Sequence, residues 1–140
     1  MNKIILTALV LLCAAVSSFA QSKTPQAVLD AFNKKFPTAT KVKWEKENAK
    51  EFEASFNMKG VDYSANYSDT GEWMETESTI AFNDLPKNVQ TTFNASHPNA
   101  KVKEVAKIET SKGQTQFEVE MKQGMKTVEF LYNSDGTEIK

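Results

Sequence analysis

The sequence predicts an α+β fold in which two tandem α-β-β-β-β repeats form one antiparallel sheet with both helices on one face. Three observations carry this. Phe52 to Gly71 (FEASFNMKGVDYSANYSDTG) and Phe117 to Gly136 (FEVEMKQGMKTVEFLYNSDG) match at a constant spacing, with Phe52, Glu53, Tyr67 and Gly71 answering to Phe117, Glu118, Tyr132 and Gly136. Each stretch alternates apolar and polar residues, turns, alternates again and turns at a glycine, the signature of paired strands. A Pro-bounded segment with helical spacing precedes each, Pro25 to Pro37 and Pro86 to Pro98. One repeat alone would bury too little surface to be stable, so the two share one core.

Residues 1–20 read as a signal peptide. A basic start at Lys3, an apolar run from Ile4 to Val16 and small residues at Ser18 and Ala20 place the cut before Gln21. Cys13 follows Leu12, which is not the small residue that lipoprotein processing needs. The remaining 21–140 form a single domain, with repeats at about 24–80 and 84–140, located in the periplasm or outside the cell. It has no cysteine, hence no disulfide and no cysteine metal site.

The first helix is expected to start at Thr24-Pro25, with Thr24 capping. It presents Val28, Phe32 and Phe36 on one face and stops at Pro37. Lys41–Glu47 is a strand with Val42 and Trp44 on one side. In Glu51–Met58, Phe52, Ala54, Phe56 and Met58 face one way and Glu51, Glu53, Ser55 and Asn57 the other. After Lys59-Gly60, residues Val61, Tyr63, Ala65 and Tyr67 continue the apolar side. Asp69-Thr70-Gly71 turns the chain into Glu72–Ile80. There Met74, Thr76, Ser78 and Ile80 are assigned to the core, and Trp73, Glu75 and Glu77 to the opposite side.

The second repeat restarts at Asp84-Leu85-Pro86, with Val89 and Phe93 in the places of Val28 and Phe32, and His97 in that of Phe36. Strands follow at Lys101–Thr110, Thr115–Lys122, Met125–Tyr132 and Thr137–Lys140. The junction near Phe82–Asp84 is short and poor in Gly and Ser, which suits two halves of one domain.

This doubled pattern of Pro-bounded helices, Val-x-Lys strands and Tyr-x-Ser-Asp-x-Gly or Tyr-Asn-Ser-Asp-Gly turns resembles the PepSY-like family of small exported bacterial proteins. Members of that family resemble the beta-lactamase inhibitor protein in fold. The resemblance covers 24–140 and implies binding to, and inhibition of, an enzyme, or modulation of a protease. In the beta-lactamase inhibitor protein the open sheet face holds the partner through exposed aromatics, and disulfides brace the repeats. This chain lacks the disulfides.

No residue set carries a recognisable reaction, so no catalytic residue, cofactor or metal is assigned. The chain has no arginine and a net charge of −1. That argues against nucleic acid, for which arginine is the preferred bidentate partner. Interspersed charges argue against a polybasic membrane patch, and no membrane insertion is expected after signal cleavage. Asp69 to Glu72 and Asn133 to Gly136 lack the ligand spacing of a calcium loop and read as turns. His97 has no histidine or cysteine to join it and reads as a packing residue. Glu51, Glu53, Glu118 and Glu120 read as a solvated polar face without a cleft to shift a pKa. Gly60 and Gly124 read as turn glycines.

The expected function is therefore an exported, non-enzymatic binding protein. It would be a protein-interaction or inhibitor-like module of the cell envelope using the open sheet face. The alternative is a small-ligand or sugar-binding periplasmic protein, with Trp73 or Trp44 stacking on a ring. The expected partner-binding residues are Trp73, Glu75, Glu53, Glu118, Glu120 and Leu131, and the partner is an envelope or secreted protein of basic character. Trp73 in an acidic surround is the expected anchor.

Overall fold

The computed structural model describes residues 23–140; the signal-peptide reading of 1–20 lies outside them. The elements run α1 (Gln26–Lys35), β1 (Thr40–Asn48), β2 (Glu51–Met58), β3 (Val61–Ser68), β4 (Trp73–Thr79), a 3-10 turn (Phe82–Asp84), α2 (Lys87–Ser96), β5 (Lys101–Thr110), β6 (Thr115–Gln123), β7 (Lys126–Asn133) and β8 (Glu138–Ile139). The eight strands form one antiparallel sheet in sequence order. The repeats join edge to edge through β4 and β5, from Glu75 opposite Thr110 to Thr79 opposite Ala106. Backbone bonds from Ile80 N–H to the Val105 carbonyl and from Ser111 N–H to the Met74 carbonyl extend the seam.

Both helices lie on one face, as the alternation requires. Val28 and Phe32 of α1 pack on Phe52, Ala54, Phe56, Ala65 and Tyr67. Val89 and Phe93 of α2 pack on Val105, Phe117, Val119, Met121 and Tyr132. Phe32 is an aromatic hub, edge-on to Phe56 at 5.0 Å and to Trp44 at 5.2 Å between centroids. His97 fills the place of Phe36 as expected, 4.1 Å from the Phe130 ring and 5.1 Å from Phe93.

Three local readings are corrected. Each helix has a proline, Pro25 or Pro86, as its N-cap with no side-chain cap bond. The Pro25 carbonyl accepts from Val28 and Leu29 N–H, and Thr24 does not cap. In β1, Lys41 takes φ +55° and the register shifts between Thr40 and Lys43. Val42 is thereby left exposed while Trp44 packs on the core.

The third correction concerns Trp73. Asn66 pairs with Glu75, but Tyr67 pairs with Trp73, so Met74 is an extra residue in β4. A bulge of this kind inverts the alternation on one side of it. Thr76 and Ser78 face the helices as expected, and Trp73 joins them instead of Glu75 and Glu77. Its indole Nε1–H donates to Thr76 Oγ1 at 2.8 Å, and Lys35 Nζ lies 3.7 Å from its ring centroid.

Candidate functional site

The helix-free face is built by the alternate residues of β2 to β7. Strand register sets Glu53 opposite Asn66 and Asn66 opposite Glu75. It sets Ser64 opposite Glu77 and Glu77 opposite Ile108. On the second repeat, Ala106 pairs with Glu118 and Glu118 with Leu131, while Glu104 pairs with Glu120 and Glu120 with Glu129. Of the expected binding residues, Glu53, Glu75, Glu118, Glu120 and Leu131 thus share this face and Trp73 does not. Trp44 also packs on the helix side, edge-on to Phe32, so neither tryptophan offers a stacking platform here.

The carboxylates are not solvated, contrary to the sequence reading. Glu53 and Glu77 are 6% exposed, Glu118 7% and Glu120 1%. Apolar cross-strand neighbours flank them on this face: Ala106 and Leu131 lie on either side of Glu118, and Ile108 pairs with Glu77. Burial disfavours a charged carboxylate, and neighbouring carboxylates add to the penalty. Glu118 is pushed up to about 9, first by burial and then by Glu77 and Glu129. Glu77 rises to about 8 through burial and then Glu75 and Glu53. Glu53 rises to about 7 through burial and then Glu47 and Glu45, against a 3.5 Å hydrogen bond from Ser55 Oγ. Glu129 is raised for the same reasons.

A band of mutually interacting carboxylates therefore crosses the face from β2 to β7. Lys103, at the register shift in β5, answers it directly by donating to Glu120 Oε2 at 2.9 Å. Several acceptors remain buried without a partner, namely Glu120 Oε1, Asn66 Oδ1 and Ser64 Oγ. Beside the band lies a groove of about 470 Å³, with Lys43, Ser64, Glu77, Glu104 and Ala106 in its lining.

Such a face can bind cations, hydrogen-bond donors or a basic protein surface. Glu77, Glu104 and Glu129 were not singled out from sequence as binding residues. The spacings Glu75-x-Glu77 and Glu118-x-Glu120 put two carboxylates on one face of β4 and of β6; β5, between them, adds Glu104 and β7 adds Glu129 through strand register.

A family model described as "Putative beta-lactamase-inhibitor-like, PepSY-like" matches the chain twice, over residues 14–64 and 50–140. A BLIP-like protein from Bacteroides fragilis is 29% identical with a TM-score of 0.69, covering 84% of this chain and 84% of its own. A DUF2874 family protein from Bacteroides uniformis is 24% identical with a TM-score of 0.75, covering 84% of this chain and 88% of its own. A Bacteroides eggerthii structure described under "putative periplasmic proteins" is 20% identical with a TM-score of 0.76, covering 84% and 87%. The last two share the fold. No curated protein matches the chain. Among the described residues no helix is long and apolar enough to cross a membrane.

Proposed function

The chain belongs to the PepSY-like, beta-lactamase-inhibitor-like family, and from that premise we propose that it is an exported, non-enzymatic module that holds a basic protein of the cell envelope on its helix-free sheet face. The observation that carries this reading is the carboxylate band. Buried carboxylates with raised pKa values are unfavourable as charges in the free protein. A lysine or arginine from a partner would pair with them and relieve that penalty. The inhibitor-like family and a solved relative described as periplasmic support the setting.

The small-ligand alternative keeps the groove but loses its stacking tryptophans. A basic protein suits an extended acidic band better than a single ring does.

The reading is tested by capture from envelope extract on immobilised protein. The comparison is with Glu75→Lys/Glu104→Lys, at the rim of the band, and with Asp30→Asn on α1. Specific capture should weaken in the rim variant and as salt rises, and persist in the α1 variant. Capture indifferent to the rim reversal would remove the sheet face from consideration.

A further inference from the structure

We propose that one end of the carboxylate band, formed by Glu118, Glu120 and Glu129, is a binding site for a hard divalent cation of the calcium class. One carboxylate oxygen from each of these residues lies within 4.8 Å of the others. Two ligands on opposite sides of one ion with bonds of about 2.4 Å are separated by that distance, so a single calcium-sized ion can touch all three. An all-oxygen carboxylate set selects calcium, magnesium or manganese over softer metals. Magnesium demands a near-ideal octahedron and gives up its water reluctantly, so a site of three strand-fixed carboxylates suits the more flexible calcium better.

Glu120 supplies the second observation. Its side chain is almost wholly buried (2% exposed), one oxygen takes the Lys103 ammonium, and the other, Oε1, has no hydrogen-bond partner. A buried acceptor left unpaired is costly, and it marks a place for a ligand. The three residues come from adjacent positions on β6 and β7, where Glu120 pairs with Glu129 across the strands. Their spacing is thus fixed by the sheet.

Lys103 is the competing cation. Its side chain is 35% exposed and rises from the β5 register shift, so it can swing into solvent when an ion enters. Water on the open side would complete the coordination, as calcium requires six to eight oxygens. This inference does not depend on any docked protein, and the isolated chain tests it.

The experiment titrates the purified mature chain, stripped with chelator, with calcium chloride and with manganese chloride at fixed ionic strength. Thermal melting and the electron paramagnetic resonance of free manganese are followed. One manganese should be withdrawn per chain, calcium should displace it, and both should raise the melting temperature. Glu120→Gln and Glu129→Gln should each abolish the effect. Lys103→Met, which removes the competing charge, should tighten the apparent affinity about tenfold. That gain keeps the test decisive if the glutamine variants fold poorly. Overturning results are no saturable binding at millimolar metal, or weak binding of several ions unchanged by Glu129→Gln and Lys103→Met.

Discussion

Gly71 lies against the first turn of α1 so closely that a β-carbon on it would sit 2.6 Å from the carbonyl oxygen of Ala27. The second repeat repeats the contact, where a β-carbon on Gly136 would lie 2.8 Å from the carbonyl of Asn88. Both glycines have φ +88° and close their turns by donating to Ser68 and Asn133 carbonyls at 3.0 Å. The turn after the second hairpin strand is thus what seats each helix on the sheet.

Gly71→Ala and Gly136→Ala should therefore be strongly destabilising. The left-handed backbone alone costs about 1–2 kcal/mol, and the collision with rigid backbone adds to it. Gly60→Ala is the control: φ is +83° but nothing lies within 4 Å of the added carbon. Urea unfolding should rank both close-contact variants well below Gly60→Ala. Equal losses in all three would dismiss the helix contact as a constraint.

Phe32 and Phe93 occupy matching places between helix and sheet and are 2% and 0% exposed. Replacing either by Ala should cost about 3–5 kcal/mol. Because the halves share one sheet through β4 and β5, each loss should lower a single cooperative transition. Two separate transitions in calorimetry would contradict that shared fold.

Trp73→Ala should now destabilise the protein instead of acting only on binding. It removes a partly buried ring from the first core, its 2.8 Å bond to Thr76, and the Lys35 ammonium stacked on it. A cation over an aromatic face contributes about 0.5–1 kcal/mol at an exposed site, beyond the lost packing. Lys35→Met should keep most of the stability and Trp73→Ala should not. A Trp73→Ala melt equal to that of the parent would return the ring to the solvent side.

The division of faces was legible wherever the alternation ran unbroken. Phe52, Ala54 and Phe56 declare their side of β2, and the match of Phe52 to Phe117 carries the assignment into β6. It failed at Trp73 because one residue, Met74, interrupts β4, and nothing in Gly71-Glu72-Trp73-Met74 distinguishes a bulge from a regular strand. The polarity of Glu118 was legible, but its burial was not. Burial there depends on Ala106 and Leu131, its partners on β5 and β7, which no local pattern encodes. The repeated Glu-x-Glu spacing hinted at a cluster, and strand register was needed to assemble it.

Stability should fall as pH rises across the neutral range. Glu53, Glu77 and Glu118 have folded-state values of about 7, 8 and 9, all above the usual 4.5 of an unfolded glutamate. Above 4.5 the unfolded chain gives up these protons while the folded protein still holds them. The stabilising contribution is therefore complete below about 4.5. It declines as pH climbs and is gone once pH passes the folded values, up to about 9. Each unit of such a difference corresponds to about 1.4 kcal/mol. In chelating buffer the protein should unfold at lower urea at pH 8.5 than at pH 5.5. Glu118→Gln, which copies the protonated shape without an ionisable group, should gain more than about 1 kcal/mol over the parent at pH 8.5. Its gain should be smaller at pH 5.5, only about one unit above the unfolded value. A parent curve flat between those values, or a glutamine variant with undiminished pH dependence, would show that these carboxylates are solvated after all.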